Sequence, residues 1–288
     1  MKGSCAMKKF ALILLAGLLC LSLCSCENIL QKAKSAVTGE PIPQMPEDYV
    51  TTLENETYSY ELYKTYVKVV KYLGEDTEVT VPDKIDDLPV TVIGSLCFHD
   101  TEAKVTTVNI PVSVTTIEES AFYLAESIVS ITVPDTVTKI GSRAFAWCNS
   151  LETVEIGSGI NEIPEYCFNH CSSLKNVTIP VGITKIGLRA FSYCSKLEEQ
   201  TIPSNVSEVG ERAFAGCSSL KYVVFDNPNV SLGNNMFDNT DNVVVIASEG
   251  SSGKNYCENN KLRWSTSKDI EAVVLGGDDS SADDTNLN

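Results

Sequence analysis

The feature that most constrains this chain is a phenylalanine that returns every 23 residues. Phe98, Phe122, Phe145, Phe168, Phe191, Phe214 and Phe237 stand 24 positions apart once and 23 apart at every later step. An aliphatic residue precedes each by five positions, running Ile93, Ile117, Ile140, Ile163, Ile186, Val209, Leu232. Cys148, Cys171, Cys194 and Cys217 each follow one of these phenylalanines by three positions. Such a period is the signature of a solenoid, because one unit cannot bury its own apolar face and neighbours must stack to do it. A repeat array keeps one continuous core however long it grows, so a single folded domain is expected.

Each unit opens with a short alternating segment closed by proline, as in Ile131-Thr132-Val133-Pro134 or Val177-Thr178-Ile179-Pro180, which predicts a strand ended by the pyrrolidine ring. A second extended piece follows at Val137 to Gly141 and Ile183 to Gly187, and glycines 94, 141, 187 and 210 are expected to relieve a tight corner. The third side, such as Gly141 to Leu151, has room for a turn or two of helix at most. Stacking the units about 4.8 Å apart makes a parallel sheet and turns every landmark into a column of like side chains.

The flanks differ. Lys8 and Lys9 precede an apolar run from Phe10 to Leu23, too short for a span and followed by polar sequence, which predicts a signal peptide over residues 1–25. Leu23-Cys24-Ser25-Cys26 resembles the lipobox of bacterial lipoproteins, with Cys26 as the lipid-bearing mature N-terminus; a plain secretory signal is the alternative. Residues 26–48, with Pro41, Pro43 and Pro46, read as a flexible tether. Residues 49–82 read as an N-terminal β cap, its hairpin placed in Glu56 to Val81 around a turn at Gly74, Glu75 and Asp76. Tyr58, Tyr60, Tyr63 and Tyr66 either close the end of the stack or form a binding face. Repeats fill 83–247 and a C-terminal cap 248–265. Residues 266–288, including an apolar piece at Ile270 to Leu275, read as an acidic disordered tail.

With strand, proline, turn, Ile-Gly, Ala-Phe and Cys-x-x-Leu in place over about Val79 to Ala247, the repeats resemble the BspA-type leucine-rich repeats of bacterial surface proteins. Ser251 to Trp264 resembles the closing segment of that family, a short helix carrying Tyr256 and Cys257 and then a strand. The resemblance implies a leucine-rich-repeat solenoid of about 23 residues per repeat. Its parallel β-sheet lies on one face with short turns or helical pieces opposite, between an N-terminal β-hairpin cap and a C-terminal cap. It also implies a surface-exposed, extracytoplasmic protein that binds an extracellular protein or glycan. The chain departs from the pattern at Cys97, at Asp226 in place of proline, and at Gln200 in the column of Val154, Val177 and Val223. A glutamine buried there needs partners within the stack.

A net charge of -16 with only 22 Lys and Arg excludes a nucleic-acid or anionic-headgroup partner that depends on counterion release. Membrane attachment is therefore expected through the lipid anchor alone. The repeat cysteines read as buried thiols, since parallel side chains disfavour disulfide geometry. Cys167, His170 and Cys171 occupy structural columns and lack further ligands, so no metal and no cofactor is expected. Neither His99 nor His170 lies in a recognisable catalytic motif, and the carboxylates scatter, which points away from an enzyme. The candidate binding stripe is Trp147, His170 and Tyr193, one position before the cysteine column, with Leu124 before and Gly216 after. Aromatics so placed anchor interfaces or stack on sugars; otherwise they cover the shoulder of the phenylalanine column. Thr132, Glu155, Thr178 and Thr201 form an outward column that sheet propensity explains. Two competing functions remain: a polysaccharide-acting accessory protein or enzyme holding substrate on the solenoid, and a structural envelope spacer.

Overall fold

A computed structural model describes residues 46–99 and 104–267, and these form a three-sided solenoid. Cys26, the signal-like run and most of the proline-rich segment lie outside the described residues, as do Ile270 to Leu275 and the acidic tail.

One side carries β4 (Glu78–Thr80), β7 (Thr107–Asn109), β9 (Ser130–Val133), β11 (Thr153–Ile156) and β13 (Asn176–Val177) in parallel register. It resumes as β15 (Glu199–Ile202), β17 (Tyr222–Phe225), β19 (Val244–Ile246) and β20 (Arg263–Ser265). Register is set by the inward column: Val79, Val108, Ile131, Val154, Val177, Val223 and Val245 are all buried, and a one-residue slip would turn that column to water.

The second extended pieces also pair, so the solenoid has two sheet faces rather than one. β6 (Leu88–Ile93), β8 (Thr116–Ile117) and β10 (Lys139–Ile140) form one block. β12 (Glu162–Ile163), β14 (Lys185–Ile186), β16 (Glu208–Val209) and β18 (Ser231–Leu232) form the next. The expected corner glycines act differently from the sequence reading. A Cβ on Gly141 would lie 2.2 Å from the backbone nitrogen of Glu119, so this glycine permits one coil to approach the coil before it.

Among the described residues the third side has no helix. From Ser120 onward each coil carries two residues in the left-handed region four positions apart, such as Arg143 at φ 57° and Trp147 at φ 64°, then Tyr166 and His170, then Arg189 and Tyr193. The N–H groups of Ala144 and Ala146 bond back three residues, to Gly141 and Arg143, while those of Arg143, Phe145 and Trp147 donate forward to Glu165, Cys167 and Asn169 of the next coil. A helix would instead turn its donors back to carbonyls four residues earlier in the same coil once past its first turn.

Between the three sides lies the core. Stacked phenylalanine rings run from Phe98 to Phe237, with centroids 4.9 to 6.1 Å apart and planes within 18° of parallel. Six of the seven are exposed by 1% or less. Tyrosines close both ends: Tyr72 stacks on Phe98 at 5.7 Å, and Tyr256 meets Phe237 edge-on at 6.3 Å.

The N-terminal cap has a different topology from the one read in the sequence. β1 (Tyr49–Glu54), β2 (Tyr58–Tyr63) and β3 (Val67–Tyr72) form an antiparallel meander, and β3 joins β6 in parallel. Gly74 to Asp76 is not a hairpin turn; it lies between β3 on one face and β4 on the other. Tyr58, Tyr60 and Tyr63 are buried, so three of the four tyrosines belong to the packed interior. β5 (Lys84–Ile85) makes a tight hairpin with β6 through Asp86 and Asp87, both at positive φ, as a two-residue turn of the primed type requires. At the other end α1 (Ser252–Asn260) starts at Ser251, whose side chain accepts from the Lys254 N–H, and stops at left-handed Lys261.

Candidate functional site

Trp147, His170 and Tyr193 are brought together as the sequence spacing implied. The Trp147 and His170 rings stack at 3.8 Å and 6°, and His170 and Tyr193 at 4.4 Å and 16°. Trp147 is 36% exposed and Tyr193 43%, while His170 between them is partly covered. The two outer rings, Trp147 and Tyr193, are exposed, and each lies against His170.

All three residues are left-handed, at φ 62 to 64°. That conformation costs a bulky L-residue on the order of 1–2 kcal/mol. The coil imposes it because the N–H groups of Trp147, His170 and Tyr193 donate to Asn169, Ser192 and Ala215 of the following coil. Gly216 ends the stripe at φ 73°, and a Cβ there would lie 2.6 Å from Cδ1 of Tyr193, so the tyrosine ring lies over the glycine. Burial between the two rings lowers the His170 pKa, which favours the neutral ring at pH 7. On the same side the Arg143 guanidinium sits 4.7 Å from the centre of the Tyr166 ring, in cation–π range.

Behind the stripe the cysteines are free and buried. The thiols of Cys148, Cys171, Cys194 and Cys217 donate to the carbonyls of Phe122, Phe145, Phe168 and Phe191 at 3.1 to 3.2 Å. Burial pushes Cys148 and Cys217 up to about 12 and raises Cys171 and Cys194 as well, so the thiols stay protonated donors. Thr240 makes the equivalent bond to Phe214, at 3.0 Å, in the last coil. Cys171 is thus committed to a backbone carbonyl and His170 to its ring neighbours. Among the described residues no three His, Cys, Asp or Glu side chains converge on a metal-sized space.

The strand face holds a second polar feature. Gln200 is 3% exposed, and its Nε2 donates to the carbonyls of Val177 and Thr201 at 3.1 and 2.9 Å, so the partners a buried amide needs are half supplied; its Oε1 is buried without one. Carboxylates on this face are tied across coils: Glu152 to Lys175 and Glu198 to Lys221, both at 2.6 Å, with Glu199 accepting from the Tyr222 hydroxyl. In the outward column Thr132 donates to Glu155 at 3.2 Å.

This architecture is that of a leucine-rich-repeat solenoid. The model of the BspA type leucine rich repeat region matches residues 91–211, 116–244 and 184–260, and the chain belongs to that family. Among solved structures it is similar to a leucine-rich repeat protein of T. pallidum, at 22% identity over 75% of this chain and 98% of that one, with a TM-score of 0.46. A leucine-rich cell surface protein from Faecalibacterium prausnitzii matches at 22% identity over 71% and 77%, with a TM-score of 0.43. A leucine-rich repeat protein from Eubacterium ventriosum matches at 22% over 64% and 50%, with a TM-score of 0.50, and shares the fold. No curated protein matches the chain.

Proposed function

We propose that this protein is displayed outside a bacterial cell, anchored by a lipid on Cys26, and binds an extracellular protein through Trp147, His170 and Tyr193. The observation that carries the binding reading is the stripe itself: three aromatic rings stacked on one another, two of them exposed, held at a backbone conformation that disfavours them. Rigid, partly exposed aromatics lose little side-chain entropy on association and supply most of the energy where they meet a partner. Ion pairing of Glu152 and Glu198 with lysines favours binding over carboxylate chemistry on the strand face. The lysine-flanked apolar run ahead of Cys26 supports export and anchoring.

The test replaces both Trp147 and Tyr193 by alanine. With the full chain immobilised, purified extracellular-matrix and plasma proteins are passed over it. Retention of a partner by the parent and its loss in the double variant, at unchanged circular dichroism, is expected. Equal retention by both overturns the assignment of the stripe. For the anchor, Cys26→Ala is expected to move the protein from the membrane fraction to the medium, and continued membrane association refutes lipidation at that residue.

A further inference from the structure

We propose that the seam between β13 and β15 is a binding site for a neutral saccharide, separate from the aromatic stripe. The inner column of this face is apolar in coil after coil, and only at Gln200 does a carboxamide take the place of valine. At that point the ladder stops: β13 pairs with β11, β15 pairs with β17, and the two do not pair with each other. The Gln200 amide occupies the Val177 carbonyl of the preceding coil, where a continuous ladder would deliver a backbone N–H. Both of its donor hydrogens are then spent on carbonyls, and Oε1 remains a buried acceptor with nothing to accept.

An open groove of about 410 Å³ lies over the seam, within the range of roughly 300–1,000 Å³ found for small-molecule sites. Pro203 gives it apolar surface, Val177 and Ile179 lie buried beneath it, and Asn176, Thr178 and Thr201 give it amide and hydroxyl groups beside the Glu199 carboxylate. This pairing suits a pyranose, which has an apolar C–H face and a rim of hydroxyls that both donate and accept. Lys175 and Lys221 are held by Glu152 and Glu198, which leaves the Glu199 carboxylate, accepting from Tyr222, as the one unbalanced charge at the groove. A neutral ligand therefore fits better than an anion. Gln200 Oε1 is the acceptor that a ligand hydroxyl would satisfy when the seam admits it, and a buried acceptor left unpaired is costly enough for that bond to matter.

Saturation-transfer NMR on the full chain tests this, with the methyl glycosides of glucose, galactose, mannose and N-acetylglucosamine as probes. Transfer to at least one glycoside is expected. Gln200→Val restores the apolar column and is expected to fold at least as well as the parent, yet to bind that glycoside about tenfold more weakly or not at all. Thr201→Val, a surface change suited to a strand, is expected to weaken it as well. The Trp147→Ala, Tyr193→Ala variant is expected to retain it, which separates this site from the stripe. No transfer to any of the four glycosides, or undiminished transfer in Gln200→Val, overturns the proposal. So does a crystal structure in which water alone satisfies Oε1 in the presence of the glycoside.

Discussion

The turn face and the two strand faces are built from the same repeating unit, yet among the described residues only the turn face is unbroken. On the strand faces one ladder stops between β10 and β12 and the other between β13 and β15. The first break falls where Pro164 occupies the position of Gly141 and Gly187, whose N–H groups donate to Ile117 and Ile163 of the coil before; proline has no such donor. The second falls at Gln200. Across both junctions the turn face continues. Arg143, Phe145 and Trp147 donate over the first, and Arg189, Phe191 and Tyr193 over the second. Parallel rungs add donors and acceptors at each junction, so an array tolerates a gap on one side while the other two sides and the phenylalanine column hold. Stripe residues are thus also backbone bridges, and their amides stay in place whatever side chain is attached.

The largest break in this contrast comes from Phe168→Ala, which interrupts the column between the two weak junctions. A loss of about 3–5 kcal/mol is expected, read by chemical denaturation, with hydrogen exchange accelerating on both sides of the lesion. An effect confined to residue 168 would show that the coils are less coupled than their stacking implies. Next comes Gly216→Ala, expected to cost about 1–2 kcal/mol for left-handed strain and to displace the Tyr193 ring, visible as a change in near-ultraviolet dichroism. A neutral result would mean that the turn face can change hand.

Gln200→Val sharpens the comparison from the other direction. Removing the orphaned acceptor and letting the ladder close is expected to stabilise the fold by about 1 kcal/mol, measured as a higher denaturation midpoint. The smallest effect concerns pH. His170 has its folded pKa lowered from 6.5, so the unfolded chain takes up the proton more readily. Its contribution to stability is therefore complete above pH 6.5 and declines as the pH falls from there through the lowered folded value. In His170→Gln that part of the acid-side loss should vanish, leaving a flatter stability profile between neutral and mildly acidic pH.

Much of this could be read in advance, and the misses have identifiable causes. The alternation in Tyr49-Val50-Thr51-Thr52-Leu53-Glu54 was a strand signal that the neighbouring proline-rich segment obscured, and Asp86-Asp87 was a turn signal hidden inside the first repeat. Thr240 was a hint that the cysteine column is a column of donors, since a hydroxyl and a thiol are both small and both carry a hydrogen to donate. Gln200 stood out as a departure, but its effect on pairing depends on a carbonyl 23 residues away.

By itself the sequence determined which side chains meet, because a constant period places equal positions one above another and burial of the phenylalanines leaves only that register. It also determined that Trp147, His170 and Tyr193 form one stripe. Only the tertiary structure decided how the backbone closes each coil: left-handed residues where a helical turn was expected, forward-pointing amides, and a ladder that parts at Gln200. These depend on where the next coil puts its carbonyls, and side-chain periodicity carries no record of that.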